Sequence, residues 1–453
     1  MNIVIVGGGK IGTMLALQLG REGHAVTIID KSERVIEQSG TTLDAMCIVG
    51  NGAAYPVLES AGVSGADLLI AVTTDDETNL LCCLTAHRLG ARHTIARVRN
   101  PEYYDQLTLL KDDLGLSMAV NPERAAAQEI ARILRFPAAT KVELFADGRA
   151  ELVSYHVGAD NELCGMRLNE LPQKTGIRVL ICAVERENEV VIPSGDYTIL
   201  QGDMLYMTAA PQEMERMFRK LHLLVNRARN VLIVGGGRVT YYLTELLAQE
   251  GVNAKVIERD ATRAYDLAAA QPKAVVLCGD ASNHELLMEE GLEKQDAFVA
   301  LTGLDEGNIL AAIYAHRHHV PKVIAKVNND ALTALIRNSG LDSTISPKQI
   351  TANQILRFVR AMNAGQGSDD VLALYQILGG RVEVLEFCAT ESNYCNIPLK
   401  DLSIRRHTLI ACLVREGRAL IPGGSDCIRA GDSVLVVTSG RRLHKLTDIL
   451  ERV

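Results

Sequence analysis

The chain has 453 residues, of which 47 % are hydrophobic and 23 % charged, with a net charge of −8 at neutral pH. That length exceeds one ordinary core and predicts two to four globular domains rather than a disordered or fibrous chain. No long basic run is present, which argues against nucleic acid or an anionic lipid surface as the main partner, and no apolar run is long enough for a membrane-spanning helix.

From Met1 the sequence enters a strand at once, with no basic, apolar and small-residue signal pattern before it. The ten cysteines include no C-x-x-C pair, and several lie in strand-like apolar runs such as Val179 to Val184. Reduced thiols in a cytosolic, soluble protein are the expectation. Strands are predicted at 2–6, 25–30, 45–49, 66–73, 93–98 and 116–120. Helical stretches separate them at about 10–22, 32–39, 56–61, 76–90, 103–112 and 122–135. Near-continuous apolar strands alternating with helices imply a parallel sheet covered on both faces, a first domain at 1–136 that Phe136-Pro137 would close.

The next segment, 141–222, changes to short strands at 142–145, 151–157, 178–184, 189–192 and 204–209, broken by turn residues such as Pro193-Ser194-Gly195 and Gly202-Asp203. It reads as a small, β-rich α+β domain. The chain then repeats itself. VIVGGGKIGTMLALQLGREGHAVTIID from Val4 returns as LIVGGGRVTYYLTELLAQEGVNAKVIE from Leu232, and Gly202-Asp203 returns as Gly431-Asp432. The duplicated unit is about half the chain, so 229–365 and 370–453 repeat 1–136 and 141–222. The fold class is therefore α/β, with two Rossmann-like, doubly wound parallel-sheet domains, each followed by a small α+β domain.

Gly7-x-Gly9-x-x-Gly12 follows the first strand and opens the first helix, and Asp30 ends the second strand. In that context Gly7 permits the tight turn, Gly9 lets backbone approach a pyrophosphate and Gly12 lets the helix pack closely. Phosphates would sit on the free N–H groups of the helix start, and Asp30 would bind a ribose, disfavouring a 2′-phosphate. NAD or another adenine nucleotide is expected there, against the alternative of a glycine turn without a ligand. The second copy reads Gly235-x-Gly237-x-x-Thr240, with Glu258 in place of Asp30. Threonine would stand the helix off its strand, so this copy either binds a different nucleotide or none.

Thr73 and Thr74 fall at the end of the fourth strand, beside such a ligand, followed by Asp75, Asp76 and Glu77 at a helix start. The acids either cap that helix or meet ligand. Asn51 and Arg97 point to the same edge, and Arg97 would contact phosphate or pair with the acidic run; Lys326 replaces it in the second copy. His316, His318 and His319 near a helix end suit helix carbonyls or a metal. Cys82-Cys83 reads as core, and Arg441, Arg442, His444 and Lys445 as a solvated helix face.

With Val72-Thr73-Thr74-Asp75-Asp76-Glu77-Thr78-Asn79, Gly279-Asp280-Ala281-Ser282 and Ile345-Ser346-Pro347, the chain resembles the TrkA-type regulators of bacterial Trk potassium uptake over nearly its whole length. These carry tandem domains that regulate the conductance of potassium, each nucleotide domain followed by a TrkA-C-type domain. The resemblance implies a homo-oligomer, a ring such as a dimer or tetramer, seated on the inner face of the cell membrane beneath a membrane-embedded potassium transporter. It implies exchange among NAD, NADH, ATP and ADP as the signal, and no catalysis. Carried over by position, Gly7, Gly9, Gly12, Asp30, Asn51, Thr73, Thr74 and Arg97 line the first pocket. Gly235, Gly237, Glu258, Asp280, Thr302 and Lys326 line the second. The same domains serve other channels and antiporters. The rival reading is an NAD-dependent oxidoreductase, but neither small domain offers a His/Asp, Lys/Tyr or metal-ligand constellation for it.

Overall fold

The computed structural model describes residues 1–135, 139–158, 161–187, 189–221, 228–329, 331–333, 343–364, 371–377, 381–439, 443 and 445–451. Phe136-Pro137, Arg441, Arg442 and His444 lie outside the described residues. The first unit alternates β1 (Asn2–Val6), α1 (Lys10–Arg21), β2 (Ala25–Asp30), α2 (Glu33–Thr42), β3 (Met46–Val49) and α3 (Tyr55–Ser60). It continues with β4 (Leu68–Ala71), α4 (Asp76–Leu89), β5 (His93–Arg97), α5 (Pro101–Leu110), β6 (Met118–Val120) and α6 (Pro122–Arg135). The strands pair in parallel in the order β3-β2-β1-β4-β5-β6. Because both faces of the central strands are covered, every residue of β4 and all but the first of β1 are buried. The order reverses between β1 and β4, which opens a crevice at their carboxyl ends.

The first small domain holds β7 (Ala139–Phe145), β8 (Ala150–His156), α7 (Leu171–Thr175), β9 (Leu180–Arg186), β10 (Glu189–Val191), β11 (Met204–Ala209) and α8 (Pro211–Lys220). Its strands form an antiparallel sheet in the order β10-β9-β11-β8-β7. Helix α8, absent from the sequence expectation, buries Met214, Met217 and Phe218 on that sheet.

The second half repeats the plan. Its parallel sheet is β12 (Asn230–Val234), β13 (Asn253–Glu258), β14 (Val275–Cys278), β15 (Ala297–Ala300), β16 (Lys322–Lys326) and β17 (Ser343–Ile345). Its helices are α9 (Arg238–Gln249), α10 (Ala261–Ala270), α11 (His284–Glu289), α12 (Asp305–Arg317) and α13 (Pro347–Ala364). The strand order β14-β13-β12-β15-β16-β17 copies the first sheet. The second small sheet runs β18 (Val371–Ile377), β19 (Val382–Cys388), β22 (Ser433–Ser439), β20 (Thr408–Arg415) and β21 (Arg418–Leu420).

The halves exchange their last Rossmann helices. Ala126, Ile130, Ile133 and Leu134 of α6 join a core with Val239, Leu243 and Leu247 of α9. Reciprocally, Ala352, Ile355, Leu356 and Val359 of α13 pack among Ile11, Leu15 and Leu19 of α1, where Arg360 also pairs with Glu22. Each buried valine, leucine or isoleucine of this set is worth about 1.5–3 kcal/mol and each alanine less, so each half completes the other's core. The two small sheets also pack face to face, with Phe145, Leu152 and Cys182 against Val384, Cys412 and Leu435.

In each small domain the Gly-Asp pair has a structural role. Asp203 is fully buried and accepts from Arg186 Nε and Nη2 at 2.7 and 2.8 Å. Asp432 accepts from Arg415 in the same way at 2.9 and 2.7 Å.

Candidate functional site

The crevice at the carboxyl ends of β1 and β4 gathers the first set of expected residues. Gly7 has φ +107°, a conformation that side chains disfavour, and a Cβ there would lie 3.0 Å from Thr73 N. The loop is thereby pressed against the end of β4, and Thr73 stands beside it. Gly12 allows still closer contact: a Cβ would come 1.8 Å from the Gly7 carbonyl oxygen. No side chain caps α1 at Gly9, so the first N–H groups of the helix face the crevice open to an anion.

Asp30 closes this loop from the β2 side. Its Oδ2 accepts from Gly8 N at 2.7 Å and its Oδ1 from Ser32 N at 2.9 Å. A carboxylate has about four acceptor positions, so ribose hydroxyls can still be bound. The Gly50 N–H donates to the Asp30 carbonyl at 2.8 Å, which sets Asn51 at the same edge; Asn51 accepts from Ala53 N at 3.2 Å.

The threonine turn is held by a residue that sequence reasoning passed over. Asn79 is fully buried; its Oδ1 accepts from both the N–H and the hydroxyl of Thr73, at 2.8 and 2.7 Å. Its amide donates to the Arg97 carbonyl at 2.8 Å. The acids divide their work. Asp75 caps α4 by accepting from Thr78 N at 2.7 Å, and hydrogen bonds from Thr78 hold its carboxyl below the ordinary value. Asp76 instead accepts from the Arg99 and Asn100 N–H groups, each at 2.8 Å, fixing the loop after β5. The Arg97 guanidinium donates to the Thr73 carbonyl at the crevice, while Arg99 donates to the Thr74 carbonyl and sits 3.7 Å from Asp76, so the pairing with the acidic run is made by Arg99 and not by Arg97. Burial lowers Arg97 to about 10, with Arg99 adding repulsion.

The second crevice repeats this with substitutions. Gly235 has φ +97° and abuts Thr302. No side chain caps α9 at Gly237. Glu258 accepts from Gly236 N at 2.5 Å and Asp260 N at 2.8 Å, so its longer arm performs the Asp30 clamp. Thr240 is buried and donates to the Gly235 carbonyl, turning the close approach of Gly12 into a hydrogen bond. Asp280 accepts from Ser282 N at 2.9 Å, which lowers its carboxyl. Asn308 repeats Asn79, accepting from Thr302 N at 2.8 Å and donating to the Lys326 carbonyl at 2.9 Å. Lys326 Nζ donates to the Leu301 carbonyl at 3.4 Å, and burial lowers its pKa. The repeat of Asn79 at Asn308 was the available signal for the missed residue.

At the α12 end His318 lies 3.2 Å from Glu293 and tilts against Tyr314, whereas His319 takes a left-handed φ of 59°. Among the described residues no group of three or more potential metal ligands gathers, and no helix is long and apolar enough to cross a membrane.

The TrkA-N domain family matches residues 3–122 and 231–347, and the TrkA-C domain family matches 152–222 and 388–451. The chain is 32 % identical over 445 residues to the Trk system potassium uptake protein TrkA homolog 1 of Methanosarcina mazei, covering 96 % of this chain and 97 % of that one. It is 31 % identical to the Trk system potassium uptake protein TrkA of Halomonas elongata, covering 98 % and 96 %. Among solved structures, the GsuK channel bound to NAD shares the fold with a TM-score of 0.63 at 18 % identity, covering 97 % of this chain and 76 % of that chain.

Proposed function

Since the chain belongs to the TrkA family of tandem TrkA-N and TrkA-C proteins, we propose that it is a peripheral regulatory subunit of a potassium-uptake transporter, gated by adenine nucleotides. In this reading it works on the cytoplasmic face of the membrane as a homo-oligomer and carries no catalytic residues. Its domains divide as 1–136, 141–222, 229–365 and 370–453.

The observation that carries the proposal is the clamped glycine loop, made twice: Asp30 on Gly8 beside Thr73, and Glu258 on Gly236 beside Thr302. Each presents an uncapped helix start for phosphate and a carboxylate for ribose. Gly7, Gly9, Gly12, Asp30, Asn51, Thr73, Thr74 and Arg97 would hold NAD or NADH. Gly235, Gly237, Glu258, Asp280, Thr302 and Lys326 would hold ATP, ADP or a second dinucleotide. Regulation follows if the ligands bind two arrangements of the exchanged halves unequally.

The test is thermal stability against NAD, NADH, NADP, ATP, ADP and AMP, with Asp30→Ala alongside. Ligand at about a hundred times its dissociation constant should add roughly 2.7 kcal/mol. Stabilisation by NADH or ATP that vanishes in Asp30→Ala, together with altered potassium uptake in cells carrying that variant, is the expected result. Absence of any shift would sink the proposal.

A further inference from the structure

The two nucleotide-type units are pseudo-symmetric, yet one polar bridge between them exists in a single copy. Tyr242 lies one turn into α9, the helix that opens at the second glycine loop, and it is buried at the face where α6 crosses. Its hydroxyl accepts from Asn121 Nδ2 at 2.9 Å and donates to the Arg99 carbonyl at 3.3 Å. Both of those residues belong to the first unit. Arg99 in turn donates its side chain to the Thr74 carbonyl, in the first site's threonine turn, and its N–H to Asp76 in the first turn of α4.

The matching positions of the other copy do not form this bridge. Met14 stands where Tyr242 stands, and has no hydroxyl. Ser346 replaces Asn121 before the crossing helix, and its buried Oγ has no hydrogen-bond partner among the described residues. Asn328 replaces Arg99 and turns its amide to Asp305 at 3.4 Å.

We infer that Tyr242 is a positioning residue that couples occupancy of the second glycine loop to the shape of the first nucleotide site. This rests on the nucleotide reading above. An anion on the N–H groups of α9 pulls on the start of that helix. Tyr242 is packed and doubly bonded, so a displacement of α9 is carried to the Arg99 carbonyl instead of being absorbed. The Arg99 guanidinium then bears on Thr74 directly. Although the bridge is one-sided in structure, the coupling is reciprocal: each ligand changes the other's affinity by the same factor.

The experiment is calorimetric titration of ADP into the full chain, into Asp30→Ala (second site alone) and into Glu258→Ala (first site alone), each with and without Tyr242→Phe. The phenylalanine keeps the packed ring and removes both hydrogen bonds. Wild-type stepwise constants should depart from the single-site constants by roughly five-fold or more. With Tyr242→Phe they should return to within about two-fold of them, the single-site affinities staying as they were. Asn121→Ser keeps a helix-capping oxygen but loses the amide donor, so it frees one of the two bonds that fix the Tyr242 ring and should shrink the coupling at least two-fold, a readout that stands if the phenylalanine variant does not fold. Ser346→Ala, at the unbridged position, should leave the coupling intact. Coupling that survives both substitutions, sites that are independent in the wild type, or ADP at one site only would overturn the inference while the nucleotide reading stands. ADP at neither site would overturn the inference, and a folded protein that takes neither ADP nor NADH nor ATP would overturn both.

Discussion

The Asn79 amide nitrogen lies 2.8 Å from the Arg97 carbonyl oxygen, so one buried side chain ties the first turn of α4 to the end of β5. Its carbonyl oxygen meanwhile holds the backbone and hydroxyl of Thr73. Removing it strands a buried donor and a buried acceptor together, each costing about 1–3 kcal/mol. Asn79→Ala should therefore destabilise the chain by roughly 2–4 kcal/mol and weaken nucleotide binding at the first site, with Asn308→Ala acting likewise at the second. Chemical denaturation and titration of each variant check this; an Asn79→Ala protein as stable as the parent would refute it.

Gly12 and Thr240 occupy equivalent places and cannot be exchanged freely. A Cβ at Gly12 would come 1.8 Å from the Gly7 carbonyl oxygen, a backbone atom that cannot swing away. Gly12→Ala should cost about 1–3 kcal/mol as overpacking and distort the first loop. Thr240→Gly removes the hydrogen bond to the Gly235 carbonyl and leaves a void, and should cost a comparable amount. Melting curves of the two variants decide. A stabilised Thr240→Gly would mean that the threonine strains the second loop instead of bracing it.

Much of this was legible in the sequence, because buried parallel strands such as Val4 to Val6 and Leu68 to Ala71 are continuously apolar and the duplication fixes the plan. Periodicity, however, gives a helix a face and not a partner. The stripe of Ala126, Ile130 and Ile133 reads the same whether it covers its own sheet or the other half's, so the exchange of α6 and α13 was invisible. The order of the acids at the start of α4 does not divide their work: Asp75 caps the helix, Asp76 and Glu77 fill its first turn, and Asp76 also reaches a loop far along the chain. The aspartates of the two Gly-Asp turns gave no sign of their arginines, since Arg186 and Asp203 meet only through strand pairing.

The Arg186–Asp203 pair sets an acid dependence. Burial raises the Asp203 carboxyl, but hydrogen bonds from Arg186 and from Leu200 N outweigh this and hold it below the ordinary 3.8. A carboxyl lowered on folding contributes stability above its unfolded value, and that contribution is lost as pH falls through the lowered one. Stability should therefore drop below about pH 4. Asp203→Asn should cost roughly 2–3 kcal/mol at neutral pH and shrink the acid-dependent loss. Urea unfolding between about pH 2 and pH 7 measures both, and an unchanged acid slope in the variant would remove Asp203 from the account.

The packing of the two small sheets can be read from their thiols. Cys182 and Cys412 are both fully buried in the shared layer, and burial raises both, Cys412 to about 12. Cys82, on the buried face of α4, rises to about 12 for the same reason, and Cys83 beside it further still. A rise from 9.0 to about 12 cuts the thiolate fraction near pH 8 by roughly a thousandfold, before any loss of access. A maleimide or aromatic disulfide reagent should thus label the exposed Cys164 and Cys278 first, leaving Cys82, Cys83, Cys182 and Cys412 until the protein unfolds. The informative case is Cys182 and Cys412, since the β-sheets that bury them belong to different halves of the chain. If those two react with the native protein while Cys82 and Cys83 stay protected, the small sheets separate without unfolding and the layer between them is not a permanent core. Protection of all four until a common unfolding transition would establish it as one.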